Sequence, residues 1–289
     1  MKFPWYKYKE LPLSCRNTLQ VFITSECNLF CRGCFARNAM QINPPFMSFD
    51  EYELAVTNGM ELGAKQINIL GGEPTLHPEL ERFLAFNALM NLKTTVYTNG
   101  KRLSSSINLH GAKLRVSIYG VGGPKGAKWL PGNLKCKHSF DANFMVSKDT
   151  TLAKMMEVAE ICENDYKCKV FFIFSMRELD NPRQEFFDDT PLTMPVIEYK
   201  ELVHQFLTEY EGNMDIHISK RGVFESSTTL PHTTCRFANY LIGGRIVQCP
   251  YDLINMKTQP KYEFGKRPCQ HNNTCLMSKI ILRPKRRKR

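Results

Sequence analysis

Short β-rich runs alternate with longer stretches of helical periodicity over most of the chain. The predicted strands are residues 19–24, 66–70, 93–98, 112–119, 169–174 and 214–219. The predicted helices run from Ser48 or Asp50 to 61, and over 78–90, 151–163 and 196–210. Alternating strands and helices are typical of a parallel sheet with crossover helices. The pattern therefore predicts an α/β fold, a partial (β/α)6 TIM-type barrel, with an open flavodoxin-like sheet as the alternative.

Composition places the chain among ordinary globular proteins. Hydrophobic residues make up 43% and charged residues 23% of its 289 positions. No apolar run has the length of a membrane span or of a signal peptide, so we expect a cytoplasmic protein without a membrane partner. In a reducing compartment, the 11 cysteines favour metal binding over disulfides.

The formal net charge is +11, and much of it comes from the basic segment at residues 283–289. Such a run is often only a solvated tail. It also gives non-specific affinity for polyanions, so nucleic acid is a possible partner.

Three cysteines lie close together directly after the first predicted strand, at Cys27, Cys31 and Cys34. Three thiolates can hold three irons of a cubane cluster and leave the fourth iron open to a ligand. The alternative is structural zinc, which prefers four closed ligands, and no fourth Cys or His lies nearby in sequence. The spacing favours the cluster and leaves zinc open.

Further polar motifs follow the next predicted strands. Gly71-Gly72-Glu73-Pro74 follows the second strand, Asn99 follows the third, and Ser117 lies on the fourth. Taken singly, each has a plain structural explanation as a turn or a half-buried strand residue. Because parallel α/β proteins build their sites at the carboxyl edge of the sheet, the shared position favours one common site.

Together these motifs resemble the radical S-adenosylmethionine (SAM) superfamily over residues 18–220. The resemblance implies a 4Fe-4S cluster on the three clustered cysteines, with SAM chelated at the open iron. It also implies that Gly71, Gly72 and Glu73 of the Gly-Gly-Glu-Pro motif receive the methionine ammonium, and that Asn99 and Ser117 lie near the methionine or ribose. Reductive cleavage of SAM would give a 5′-deoxyadenosyl radical that abstracts hydrogen from the substrate. An electron donor of the flavodoxin or ferredoxin type would be a partner.

One position departs from the superfamily pattern. Members often carry an aromatic residue just before the third cysteine, near the adenine. This chain has Gly33 there, and Phe35 follows the cysteine instead. The adenine contact is therefore not assigned.

A second group of cysteines lies near the C-terminus, at Cys235, Cys249, Cys269 and Cys275. Four thiolates can close off an Fe-S cluster or a zinc site. The segment from Gly244 to Pro250 resembles the SPASM and twitch auxiliary-cluster extensions, which implies a second 4Fe-4S cluster. Zinc and unliganded thiols remain alternatives. The predicted domains are a barrel over 1–225, a cysteine-rich module over 226–282 and a basic tail over 283–289.

The predicted function is that of a radical SAM enzyme. Relatives with this extension commonly modify peptides or proteins, so the resemblance favours a peptide or protein substrate. The alternative is a nucleotide or nucleic acid, and a further alternative is a non-catalytic Fe-S electron-transfer protein. His217, on the last predicted strand, is interpreted as a structural histidine more readily than as a catalytic one.

Overall fold

A computed structural model describes most of the chain. The described residues are 6–10, 17–29, 31, 34, 36, 44–103, 106–119, 138–175, 194–219, 236–248, 258, 260–261, 264 and 279–284. The four C-terminal cysteines lie outside these residues, as do Gly33 and Phe35. The predicted auxiliary cluster therefore stays a prediction.

Eleven strands and four helices are assigned within the described residues. The strands are β1 (Tyr6–Glu10), β2 (Thr18–Phe22), β3 (Gln66–Leu70), β4 (Lys93–Thr98), β5 (Lys113–Tyr119), β6 (Phe140–Val146), β7 (Val170–Ser175), β8 (Asp215–Ser219), β9 (Phe237–Leu241), β10 (Arg245–Val247) and β11 (Lys279–Pro284). The helices are α1 (Phe49–Glu61), α2 (Leu80–Leu89), α3 (Leu152–Asn164) and α4 (Val196–Glu209). All four predicted helices are confirmed to within two residues at each end.

Local sequence explains where the helices begin and end. The Ser48 side chain accepts a hydrogen bond from the Glu51 amide at 3.2 Å, which caps α1. Gly63 follows that helix with a φ of 95°, a left-handed conformation that glycine adopts without strain. Thr151 caps α3 in the same way, through the Lys154 amide at 3.2 Å.

The strands form one sheet in the order β1-β11-β8-β7-β6-β5-β4-β3-β2-β9-β10. From β2 to β8 the strands are parallel and follow one another in chain order. Crossovers between parallel strands are right-handed, so a sheet that always grows in one direction carries its helices on one face. A flavodoxin-like sheet reverses its order at a switch point, and that alternative is wrong here.

The two faces of the sheet differ in polarity. One face carries apolar side chains, among them Val21, Ile69 and Val116, which pack with the helices in a single buried core. The opposite face is called the polar face. It carries Gln20, Asn68, Tyr97, Arg115, Ser117, Asn143, Phe172 and His217, which lie in matching registers across β2 to β8. The polar face is thus the face of the sheet that does not pack in the core with the helices.

The sequence interpretation missed one strand within the run from β2 to β8. The structure places β6 between β5 and β7, so the consecutive run from β2 to β8 has seven parallel strands where six were predicted. Its signal was present, because Phe140, Ala142, Phe144 and Val146 are buried and alternate with less buried residues.

The sheet also continues beyond the predicted barrel boundary at residue 225. β9 pairs in parallel with β2, and β11 pairs antiparallel with β8. β11 includes Arg283 and Pro284, the first two residues of the predicted tail, and Arg283 Nε lies 3.6 Å from Asp215 Oδ2. The division into three domains remains a prediction. In the described part of the chain, no helix is long and apolar enough to cross a membrane.

Candidate active site

The cysteine loop begins directly after β2 and is anchored at its start by Thr24. The Thr24 hydroxyl donates to the Pro45 carbonyl at 2.9 Å and accepts from the Glu26 amide at 2.9 Å. The thiol-bearing residues Cys27, Cys31 and Cys34 are all partly exposed and form no disulfide. The loop therefore presents three thiols at the carboxyl edge of the sheet.

The protonation of Cys27 reflects its surroundings. Burial raises the pKa of the Cys27 thiol, and a backbone hydrogen bond from Leu29 works in the opposite direction. The negative charges of Glu73 and Cys34 raise that pKa further. Because metals bind the thiolate, a cation at this loop would offset both the burial and the negative charges that raise the pKa of Cys27.

The Gly71-Gly72 turn packs directly on the cysteine loop. The Gly72 amide donates to the Thr24 carbonyl at 2.7 Å, and the Glu73 amide donates to the Glu26 carbonyl at 2.7 Å. A Cβ atom on Gly72 would lie 2.1 Å from the Glu26 carbonyl oxygen and 3.0 Å from Cys27 Cβ. Only glycine allows this approach, so the two loops form one unit.

Glu73 is buried, with 1% of its surface exposed, and its carboxylate connects two neighbouring loops. Oε1 accepts from the Thr75 amide at 3.1 Å, from the Thr75 hydroxyl at 2.7 Å and from the Thr98 hydroxyl at 2.6 Å. Oε2 accepts from the Asn99 amide at 2.7 Å. The carboxylate therefore ties the end of β3 to the end of β4. Pro74 is buried beside it and starts a single 3₁₀ turn.

Asn99 extends this network to the cysteine loop. Its side-chain amide donates to Asn28 Oδ1 at 2.7 Å, and its Oδ1 accepts from the Lys101 amide at 3.0 Å. Ser117 lies half-buried on β5, opposite Asn143 of β6 in the register. The predicted site residues within the described part of the chain thus gather at one edge of the sheet, as their positions after the strands predicted.

The donor set of the cysteine loop fits a cubane cluster. Among the described residues, no group of three His, Cys, Asp or Glu side chains is arranged to hold a single metal ion. A cubane binds each thiolate through a different iron, so its three sulfur ligands need not converge on one point. Three partly exposed thiols, held against a turn whose glycines leave room for close approach, meet that requirement.

Two features of this region were not found from the sequence. Asn28 was not singled out, although it contacts Asn99, and the role of the Glu73 carboxylate in joining two loops was not foreseen. Both depend on partners far away in sequence. The sequence signal for these contacts was the presence of Asn and Thr residues at the ends of strands. Such residues are also common in ordinary turns, so the signal was not specific.

Comparison with known proteins finds a family similarity over the first part of the described sheet. Residues 21–114 match the family model described as Radical SAM superfamily. The matched segment contains the cysteine loop and the Gly-Gly-Glu-Pro turn, so this part of the chain is similar to the radical SAM superfamily, as the motifs predicted.

Individual relatives are similar over part of their length. A GTP 3′,8-cyclase of Shewanella denitrificans is 34% identical over 91 residues, covering 30% of this chain and 27% of the relative. An S-adenosylmethionine-dependent nucleotide dehydratase of a Thermoplasmatales archaeon is 30% identical over 84 residues, covering 29% of each chain. The similarity thus spans less than a third of these curated relatives.

Among solved structures, the chain resembles SuiB of Streptococcus suis bound to S-adenosylmethionine. The TM-score is 0.63 at 16% identity, covering 85% of this chain and 63% of SuiB. At this identity the likeness concerns the fold. It confirms an α/β fold with a mostly parallel sheet.

Proposed function

We propose that this chain is a radical SAM enzyme that acts on a nucleotide. The observation that carries the class is the joining of the cysteine loop to the Gly-Gly-Glu-Pro turn through Gly72 and Glu73. The names of the relatives support the substrate, because a GTP cyclase and a nucleotide dehydratase both act on nucleotides. The sequence interpretation preferred a peptide or protein substrate. The names of these relatives favour its alternative, a nucleotide or nucleic acid.

The thiolates of the cysteine loop would hold the cluster, and the neighbouring turn would receive SAM. When bound, the cluster supplies one electron to SAM, which then provides the radical that removes hydrogen from the substrate. Gly71, Gly72 and Glu73 would receive the methionine ammonium, with the Glu73 carboxylate held in place by its bonds from Thr75, Thr98 and Asn99. Asn99 and Ser117 would border the methionine or ribose. A flavodoxin or ferredoxin would deliver the electron.

Anaerobic reconstitution tests this function. The protein is loaded with iron and sulfide, reduced, and given SAM with each of the four ribonucleoside triphosphates in turn. We expect 5′-deoxyadenosine above the level of a Cys31→Ala control. Its formation should rise in the presence of one nucleotide, and mass spectrometry should show that this nucleotide has been converted to a product. Cleavage of SAM without any change in a nucleotide would refute the substrate assignment. No cleavage above the control would refute the enzyme and leave the electron-transfer alternative.

We further propose that Cys235, Cys249, Cys269 and Cys275 hold a second 4Fe-4S cluster. Four thiolates are enough to close such a cluster, which would then serve electron transfer or stability. Mössbauer counting of iron should give about eight irons per chain in the wild type, as two cubanes require, and about four after Cys235→Ala/Cys249→Ala. An unchanged iron count, or zinc in place of iron, would contradict the second cluster.

Nucleic-acid contact through the basic tail is a separate prediction. Removal of residues 285–289 keeps the ion pair between Arg283 and Asp215 and takes away five basic residues. If the tail binds RNA or DNA, affinity and its salt dependence should both fall on truncation. Equal binding by the truncated chain would refute this role.

A further inference from the structure

Arg115 occupies an unusual position in the middle of the polar face. It lies on β5, beside Tyr97 of β4 in the register and two residues before Ser117 on the same face. At about 3.3 Å per residue, Arg115 is about 7 Å deeper along the strand than Ser117. It is therefore below the edge at which the cysteine loop and the Gly-Gly-Glu-Pro turn meet.

The contacts of Arg115 hold its guanidinium through Nη1 and through the aromatic rings beside its plane. Nη1 donates to the Tyr97 hydroxyl at 2.8 Å. Cζ lies 3.7 Å from the centre of the Phe172 ring and 5.0 Å from that of Tyr97. Nε is covered and has no hydrogen-bond partner among the described residues. The edge formed by Nε and Nη2 is the fork that binds two oxygens of a phosphate or carboxylate.

The surroundings of this arginine suit a ligand better than they suit a purely structural role. A covered donor without an acceptor costs free energy, and native structures seldom tolerate one without a reason. Asn143 of β6, which faces Ser117 and Phe172 in the register, has a covered Oδ1 that also lacks a partner among the described residues. The polar face thus combines a donor and an acceptor that lack partners among the described residues with two aromatic rings.

We propose that Arg115 binds a phosphate group of the nucleotide substrate, with Asn143 accepting from a hydroxyl or amino group of the same molecule. This inference rests on the proposed nucleotide function and deepens it. Tyr97 and Phe172 hold the guanidinium plane, and a small rotation over the Phe172 ring turns the Nε–Nη2 edge toward the phosphate. Asp141, the register neighbour of Arg115 on β6, lowers the net attraction for an anion without changing the fork.

Equilibrium binding to the reconstituted protein tests the inference. The probes are the four ribonucleoside triphosphates, the corresponding nucleosides and inorganic tripolyphosphate. We expect a triphosphate to bind the wild type more tightly than its nucleoside, and Arg115→Gln to weaken triphosphate binding about tenfold to a hundredfold, as expected for lost charge-assisted bonds. Nucleoside binding should change little. Tripolyphosphate should follow the triphosphate.

Two further variants separate this role from general destabilisation. Arg115→Lys keeps the charge and removes the fork, so it should recover only part of the affinity, and it serves in place of Arg115→Gln if that variant does not fold. Arg82→Gln is the matched control. Arg82 also stacks 3.7 Å from a phenylalanine ring, that of Phe49, but its side chain is 56% exposed on α2. It should bind every probe as the wild type does.

The outcomes distinguish the inference from the function on which it rests. If the wild type cleaves SAM but binds no nucleotide, the proposed substrate class is wrong and the inference fails with it. If the wild type binds a nucleotide and both Arg115 variants bind it equally well, only the inference is overturned. Equal affinity of the wild type for nucleosides and triphosphates overturns it as well.

Discussion

Replacing the Glu73 carboxylate by an amide should destabilise the fold at the junction of two loops. In Glu73→Gln, the remaining oxygen can keep the three bonds from Thr75 and Thr98. The new NH₂ group then faces the Asn99 amide, which donated to Oε2 at 2.7 Å. Two donors meet at a site that is almost completely buried, because only 1% of the Glu73 surface is exposed.

The magnitude follows from this geometry. A hydrogen bond to a charged group contributes about 1.5–3 kcal/mol, and a buried donor left without an acceptor costs about 1–3 kcal/mol. Because these two terms overlap at one N–H group, we expect the free energy of unfolding to fall by roughly 3 kcal/mol. The three retained bonds also weaken, since their acceptor loses its charge.

Urea unfolding of the metal-free protein under anaerobic conditions measures this change. Glu79→Gln is the control, because Glu79 has a 40% exposed side chain and pairs with Arg82 on the surface. That pair should contribute about 0.2–1 kcal/mol. If Glu73→Gln were no more destabilised than Glu79→Gln, the carboxylate would not be joining the two loops, and its place in the network would have to be abandoned.

Two further predictions concern the same region. Gly72→Ala would place a methyl group 2.1 Å from a carbonyl oxygen of the cysteine loop, so the iron content of the reconstituted protein should drop. Gly111→Ala is the control, because it adds backbone strain at a φ of 82° but its Cβ meets nothing within 4 Å. Equal iron content in the two variants would contradict the close approach. Burial lowers the pKa of His77 from its ordinary value of 6.5, a shift opposed by its bond to the Met47 carbonyl. Below pH 6.5 the unfolded chain therefore binds more protons than the folded chain. As the pH is lowered, the free energy of unfolding should decrease more steeply in the wild type than in His77→Asn. Urea midpoints of the two proteins that stay parallel between about pH 8 and 5.5 would refute this linkage.

Local patterns predicted the helices, because each has its own apolar period and α1 and α3 also carry side-chain caps. Ser48, Gly63 and Thr151 mark helix ends by side-chain or backbone chemistry that acts within a few residues. β6 was missed although its period-two alternation from Phe140 is regular. It follows a long segment without a clear pattern. No predicted helix precedes it, so the alternation of strands and helices did not indicate a strand there.

The site was predictable in its position but not in its contacts. Parallel strands bring the residues after β2, β3 and β4 to one edge whatever their side chains are, so motif order was enough to gather them. The bonds of Glu73 to Thr98 and Asn99 depend on strand register, which single residues do not reveal. The same holds for Arg115, whose pairing with Tyr97 and Phe172 spans three strands.

The parallel pairing of β9 with β2 has a consequence for the order in which this molecule can fold. Each strand from β3 to β8 pairs with the strand that precedes it in the chain. The other edge of β2 pairs only with β9, so Thr18 contacts Phe237 only after most of the chain has been synthesised. Until then β2, whose five residues are all buried in the finished sheet, is an exposed edge next to the cysteine loop. A chain cut at residue 225 would keep that edge permanently, and we expect it to aggregate.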